Sequence, residues 1–170
     1  MVGRNRHQIW NQIFLWVVFD KQIESSCMNK KLSDKVKWAR EETLKIHKNA
    51  PETRIASSLS PIEIFVSLFY GDLLNNFPKD PLNANRDRLV ISKGHGSICL
   101  YPILADLGFF DRNELNRVCQ KGGILGGIPD PIIPGYETVN GSLGHGLGVA
   151  TGIGLALKAQ KKNQNIFILA

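Results

Sequence analysis

A chain of 170 residues, 43% hydrophobic and 21% charged, is long enough to bury a core and too apolar to stay unfolded, so it reads as one soluble globular domain. Its net charge of +6 does not mark a nucleic-acid surface. The excess sits in residues 28–50, with seven basic side chains against three acidic ones, which is the solvated face of a single helix rather than a basic groove.

Residues 1–27 lack a steady hydrophobic period. Their apolar run, Ile13 to Phe19, is far below the ~20 residues that a bilayer requires, so no membrane span is expected. Arg4 and Arg6 precede that run as in a secretory leader, but no small-residue cleavage site follows it. An orderly pattern begins at Met28. The expected boundary therefore divides an extraneous or disordered segment, 1–27, from a domain over 28–170; a short edge strand or arm is the alternative for the first part. Leu32, Val36, Ala39, Thr43 and Ile46 then predict an amphipathic helix, capped by Ser33 and ending near Pro51.

Arg54 to Ser60 reads as a polar loop. Ser60-Pro61-Ile62-Glu63 predicts a capped start to a largely buried helix that ends near Gly71. After a polar loop, Arg88 to Ser92 predicts a short buried strand, broken by Lys93-Gly94-His95-Gly96. An apolar helix is expected from near Ser97 to Gly108, and a short helix from Asp111 to the stop at Lys121-Gly122-Gly123. A proline-punctuated loop with Pro129, Pro131 and Pro134 leads to a glycine-rich helix that ends near Gln160. Asn165 to Ala170 predicts a buried strand of parallel type. The order implies an α/β fold, a parallel sheet flanked by helices.

The chemistry concentrates at two places. His95 follows a strand between two glycines, where ligands of parallel sheets bind. It is either a phosphate donor or proton carrier, or a histidine that ties a turn. Gly141-Ser142-Leu143-Gly144 precedes the glycine helix and offers backbone amides to an anion. Gly144, Gly148 and Gly152, beside Gly146, Ala150 and Gly154, predict a small-residue face that another backbone approaches closely. This is neither a dinucleotide fingerprint nor a Walker loop. His145 is expected as a packing or partner-contact residue, and Asp87, Asp130 and Glu137 as solvated loop or cap residues. Ser142 has no base partner for a nucleophilic role. Cys27, Cys99 and Cys119 have no CxxC spacing, which excludes a disulfide framework or zinc site and points to a reducing, cytoplasmic compartment; Cys99 is expected in the core.

Two segments together resemble a known family. Asp87 to Gly96, with Ser92-Lys93-Gly94-His95-Gly96 at its end, resembles the transketolase strand that ends in Ser-x-Gly-His-Gly. Pro134-Gly135-Tyr136-Glu137 and then Gly141-Ser142-Leu143-Gly144-His145-Gly146 resemble that family's second segment. The likeness runs from about Met28 to Ala170 and is nearest the split form, whose N-terminal, pyrophosphate-binding half is a separate subunit.

The resemblance implies thiamine diphosphate with Mg²⁺ and the transfer of a two-carbon ketol unit between sugars or sugar phosphates. It also implies a C-terminal transketolase-like partner subunit in a homo- or hetero-oligomer. By position, His95 matches a catalytic histidine near the diphosphate, and Gly141, Ser142 and Leu143 match cofactor contacts, with Ser142 where proline is common. The glycine helix matches one inside the domain near a dimer interface.

Some positions depart from the family. Arg54 stands where a histidine is common; it can bind a substrate phosphate but cannot act as an imidazole base. Ile128, in Gly127-Ile128-Pro129-Asp130, replaces another histidine, and His145 replaces a glutamine. The family's Gly-Asp-Gly follows the strand at which this sequence ends, so the metal ligands are expected beyond residue 170 and the chain is expected to be a truncated piece. The glutamate that activates the cofactor belongs to the other half. A catalytically inactive remnant that only binds a partner is the alternative to the enzyme subunit.

Overall fold

The computed structural model describes residues 26–170. The readings made for residues 1–25 lie outside the described residues, and the expected boundary at Met28 falls inside the first helix. That helix, α1 (Ser26–Asn49), begins upstream of the predicted start, so Ser33 is an interior residue and not a cap. No glycine or proline interrupts Ser26 to Leu32, and the helix propagates through it. Its inner face buries Ala39, Thr43 and Ile46, as the period predicts. The Thr43 hydroxyl donates to the Ala39 carbonyl at 2.6 Å, so its polar group is satisfied inside the core.

The segment predicted as a loop after Arg54 is a short helix, α2 (Ile55–Leu59). Both the amide and the hydroxyl of Ser58 donate to the Arg54 carbonyl, at 3.1 and 2.9 Å, and close the turn. This helix removes the predicted cap of α3 (Ile62–Tyr70). Ser60 has helical dihedrals, φ −67° and ψ −33°, as the end of α2, whereas a capping residue needs an extended backbone. Ser60 instead donates to the Ser57 carbonyl at 3.1 Å and accepts from Lys93 Nζ at 3.0 Å. Glu63 pairs with Arg40 at 2.5 Å.

Strands β1 (Arg88–Ile91) and β2 (Ile166–Leu169) pair in parallel, with Arg88 opposite Ile166 and Ile91 opposite Leu169. Side chains alternate between two faces. Leu89 and Ile91 join the large core with α1, α3 and α4 (Leu100–Leu107), and Val90 and Ile166 meet Leu157 of α5 (His145–Ala159). Helices on both faces explain why the strand sequences are apolar without alternation. Gly108 ends α4 at φ +87°, a left-handed conformation that side chains rarely adopt. Cys99 is fully buried, and burial pushes its thiol well above its usual range.

Two carboxylates depart from the solvated role expected of them. Asp87 is buried and accepts from the amides of Asn75 at 3.0 Å and Asn165 at 2.7 Å, which joins the loop after α3 to the entry of β2. Glu137 is held by Arg86 through both carboxylate oxygens, with Arg88 Nε 3.9 Å away. Only pairing of this kind makes such charges tolerable out of water. Asp130 is the exposed cap it was expected to be, accepting from the Ile132 amide at 3.0 Å. The long loop is ordered by its own anchors: Leu125, Ile133 and Tyr136 are buried, Tyr101 donates to the Gly126 carbonyl at 2.7 Å, and Tyr136 donates to the Ser97 carbonyl at 2.9 Å.

His47, in the last turn of α1, is buried and hydrogen-bonded through Nδ1 to the Thr53 hydroxyl, while its Nε2 has no partner among the described residues. Burial holds its imidazole below the usual value. Below about pH 6.5 the unfolded chain takes up this proton and the folded chain does not. The stabilisation is therefore complete above that pH and is lost as the pH falls. We predict that the melting temperature declines between pH 7.5 and 5.5 and that His47→Gln flattens this slope, measured by circular dichroism. An identical slope in the variant would contradict the assignment.

Candidate functional site at the carboxyl end of β1

β1 ends at Ile91, and after Ser92 and Lys93 the chain turns into a single 3-10 turn, Gly94–Gly96. Three distant segments converge on that turn. A Cβ placed at Gly94 would lie 2.8 Å from Asn140 Cβ and 3.3 Å from Ile128 Cγ2, so only glycine admits this approach. The Gly146 amide donates to Ser92 Oγ at 3.1 Å, and a Cβ at Gly146 would meet Ser92 Cβ at 2.8 Å. From the opposite side, the Ser57 carbonyl of α2 lies 3.1 Å from the Cβ position of Gly96. His95 stands half-buried at the centre of this arrangement, and the Ser58 hydroxyl lies 3.4 Å from its carbonyl oxygen.

The glycine-rich loop enters α5 through left-handed residues, Gly141 at φ +152° and Gly144 at φ +84°. The first amides of the helix are already engaged. His145 donates to the Ser142 carbonyl at 3.3 Å, Leu147 to the Gly144 carbonyl at 3.3 Å, and Gly146 to Ser92. Among the described residues, no acceptor engages the amides of Gly141, Ser142, Leu143 or Gly144. The available anion donors are thus those of the loop and not those of the helix turn. The side chains of Ser142, Leu143 and His145 are exposed.

The glycine helix is less enclosed than its sequence predicts. Gly146 and Gly154 face close neighbours, but nothing among the described residues comes within 4 Å of a Cβ at Gly148 or Gly152. One face of α5 covers the sheet through Ala150, Ile153 and Leu157. The other carries Leu147 and Leu155, 48% and 65% exposed, so the close-approach face is half the width expected.

The structure therefore gathers His95 and the 141–144 loop at one end of β1, linked through the Gly94–Asn140 contact. Arg54 lies at the start of α2, whose later residues touch the same turn; its side chain is exposed and forms no ion pair among the described residues. Sequence reasoning missed Ser92, Asn140 and Ser58. Asn140 fastens the two loops, with Nδ2 donating to the Thr138 carbonyl at 3.1 Å and lying 3.5 Å from the Pro129 carbonyl. Its only visible signal is its place directly before the glycine loop. A shallow pocket lined by Phe69, Phe77, Arg86 and Glu137 lies at the other end of β1 and contains none of these groups.

Loop amides, a half-buried imidazole and a neighbouring exposed guanidinium, with no carboxylate projecting from the loop itself, form a donor set that fits the oxygens of a diphosphate. A divalent ion needs oxygen ligands, and no three metal-ligating side chains come together among the described residues. No helix among them is long and apolar enough to cross a membrane.

Residues 43–167 match the family model described as transketolase, thiamine diphosphate binding domain. An apulose-4-phosphate transketolase subunit from Phocaeicola vulgatus is 34% identical over 130 residues, which cover 76% of this chain and 46% of that protein. The protein of the same name from Actinobacillus succinogenes is 36% identical over 140 residues, 81% of this chain and 50% of that protein. The chain thus spans about half the length of these curated relatives. The crystal structure of transketolase from Campylobacter jejuni superposes with a TM-score of 0.76 at 28% identity, over 83% of this chain and 23% of that one.

The two kinds of glycine in α5 respond differently to a methyl group. Gly146→Ala forces a Cβ into the backbone of Ser92 and is expected to cost about 1–3 kcal/mol. Gly148→Ala meets open space and is expected to stabilise the helix by about 1 kcal/mol. Urea unfolding of the two variants checks both signs; equal effects would overturn the packing described for α5.

Proposed function

This chain belongs to the transketolase thiamine diphosphate-binding domain family, and from that premise we propose that it is the N-terminal subunit of a split, thiamine diphosphate-dependent transketolase. In this reading residues 28–170 are the pyrophosphate-binding domain, which acts in the cytoplasm with a C-terminal partner subunit. Together they move a two-carbon ketol unit between sugars or sugar phosphates. The observation that carries the reading is the convergence, at the end of β1, of a half-buried His95 with a loop whose amides have no acceptor among the described residues.

When bound, thiamine diphosphate supplies a carbon nucleophile and an electron sink for the ketol unit. The amides of Gly141, Ser142 and Leu143 would hold the diphosphate oxygens. His95 would donate a hydrogen bond to them or carry a proton at a substrate oxygen, since an imidazole nitrogen can both donate and accept. The exposed Leu143 side chain would exclude water from the apolar part of the cofactor. Arg54 would bind an anionic group of the substrate as a permanent cation. Mg²⁺ would neutralise charge on the diphosphate, and its ligands would come from outside the described residues.

A second reading, a catalytically inactive piece that only binds a partner, draws on Arg54 and Ile128 at positions where the family commonly has histidine. Calorimetric titration of thiamine diphosphate with Mg²⁺ separates the two, using the chain mixed with a C-terminal transketolase-type subunit. We expect saturable binding that inorganic diphosphate competes away and that His95→Ala weakens by about tenfold, the loss of one hydrogen bond to a charged group. Absence of binding would favour the second reading. Binding with an unchanged constant in His95→Ala would remove His95 from the site.

A further inference from the structure

The functional reading uses His95 and the glycine loop but leaves α2 without a role. Two sets of polar contacts, joined by the Thr53–Arg54 peptide, hold that short helix. At its start, Thr53 is buried, shares a hydrogen bond with His47 Nδ1, and donates its hydroxyl to the Ala50 carbonyl at 2.5 Å. With the Thr53 hydrogen committed to Ala50, His47 Nδ1 is the donor in the first contact. The Thr53 amide donates to the same Ala50 carbonyl at 3.1 Å. These bonds fix the end of α1 to the residue directly before Arg54.

The Arg54 carbonyl then accepts from the amide and hydroxyl of Ser58. Ser58 is fully buried, and its hydroxyl also lies 3.4 Å from the His95 carbonyl. Its shorter contact, 2.9 Å, holds α2 closed, and the longer one touches the turn that carries the imidazole. The Ser57 carbonyl stands against Gly96 on the same side. The backbone of His95 is thus braced by α2 on one flank and by Asn140 and Ile128 on the other.

We propose that Ser58 is a positioning residue for His95, and that Thr53 anchors it by fixing the start of α2 to α1. The role of His95 toward the cofactor is taken from the reading above; the bracing itself is a property of this chain. Its physical basis is that a site works only when the side chain doing the chemistry is held by neighbours that cannot themselves move. Ser58 does so from complete burial, where its hydroxyl has no water to exchange with.

Two measurements test this and keep the two readings apart. Carbon–proton NMR of the full chain follows the His95 ring signal and its titration midpoint without cofactor. We expect Ser58→Ala and Thr53→Val to move both, and Thr53→Ser, which keeps the hydroxyl, to restore them. Ser58→Ala is expected to weaken thiamine diphosphate binding by the subunit mixture about fivefold, at a temperature where melting curves show the variant folded. A His95 signal and midpoint unchanged in both Ser58→Ala and Thr53→Val would overturn the proposal, even if the variants melt earlier. If the signal moves but His95→Ala leaves cofactor affinity intact, the bracing stands and the cofactor role of His95 falls.

Discussion

The contact between the end of β1 and the start of α5 holds the candidate site together. Ser92 Oγ accepts the Gly146 amide at 3.1 Å, and the missing side chain at Gly146 is what lets the helix come so near. A hydrogen bond of this kind contributes only about 1 kcal/mol. Its weight comes from what it fixes. The glycine loop runs directly into α5, so docking the helix at the strand end also delivers Asn140 to Gly94 and the loop amides to the side of His95.

The two ends of the sheet are built differently. At the amino end, Asp87 bridges Asn75 and Asn165, and Glu137 gathers Arg86 and Arg88. A buried carboxylate held by two amides and a partly buried one paired with arginine lock the entry of both strands. At the carboxyl end the backbone is left open, with exposed residues from Gly141 to His145 and an exposed Arg54. Rigidity is placed behind the site and solvent access in front of it, which suits groups that must meet a ligand without rearranging. The long loop over residues 124–140 follows the same plan, since Tyr101 and Tyr136 hold it to the body while Ile128 remains at the surface.

Much of this was legible in the sequence. The strands, the helix stop at Gly108 and the α/β order followed from apolar runs and glycine punctuation, because those signals act locally. The pairing of His95 with the glycine loop was also readable, though only through two motifs taken together. What could not be read was long-range. Arg54 to Ser60 looked like a loop because its serines favour turns, and its helix depends on Ser58 closing back onto Arg54. The Ser60 cap failed because the preceding helix left no extended residue to serve as one. Asp87 and Glu137 looked solvated because nothing in the sequence pairs Glu137 with Arg86, 51 positions earlier. The small-residue rows of α5 were visible, but which row met the sheet was decided by tertiary packing.

The family relationship supplies an activity for related subunits, and the geometry supplies a place for it here. Both rest on one local arrangement, the approach of the loop before α5 to the turn after β1. The most direct test is the nuclear Overhauser effect between the α-protons of Gly94 and the β-protons of Asn140 in the isotopically labelled chain. With 2.8 Å between the Gly94 Cβ position and Asn140 Cβ, a strong cross-peak is expected. Its absence, with the β1–β2 pairing intact in the same spectrum, would separate His95 from the glycine loop and contradict the site.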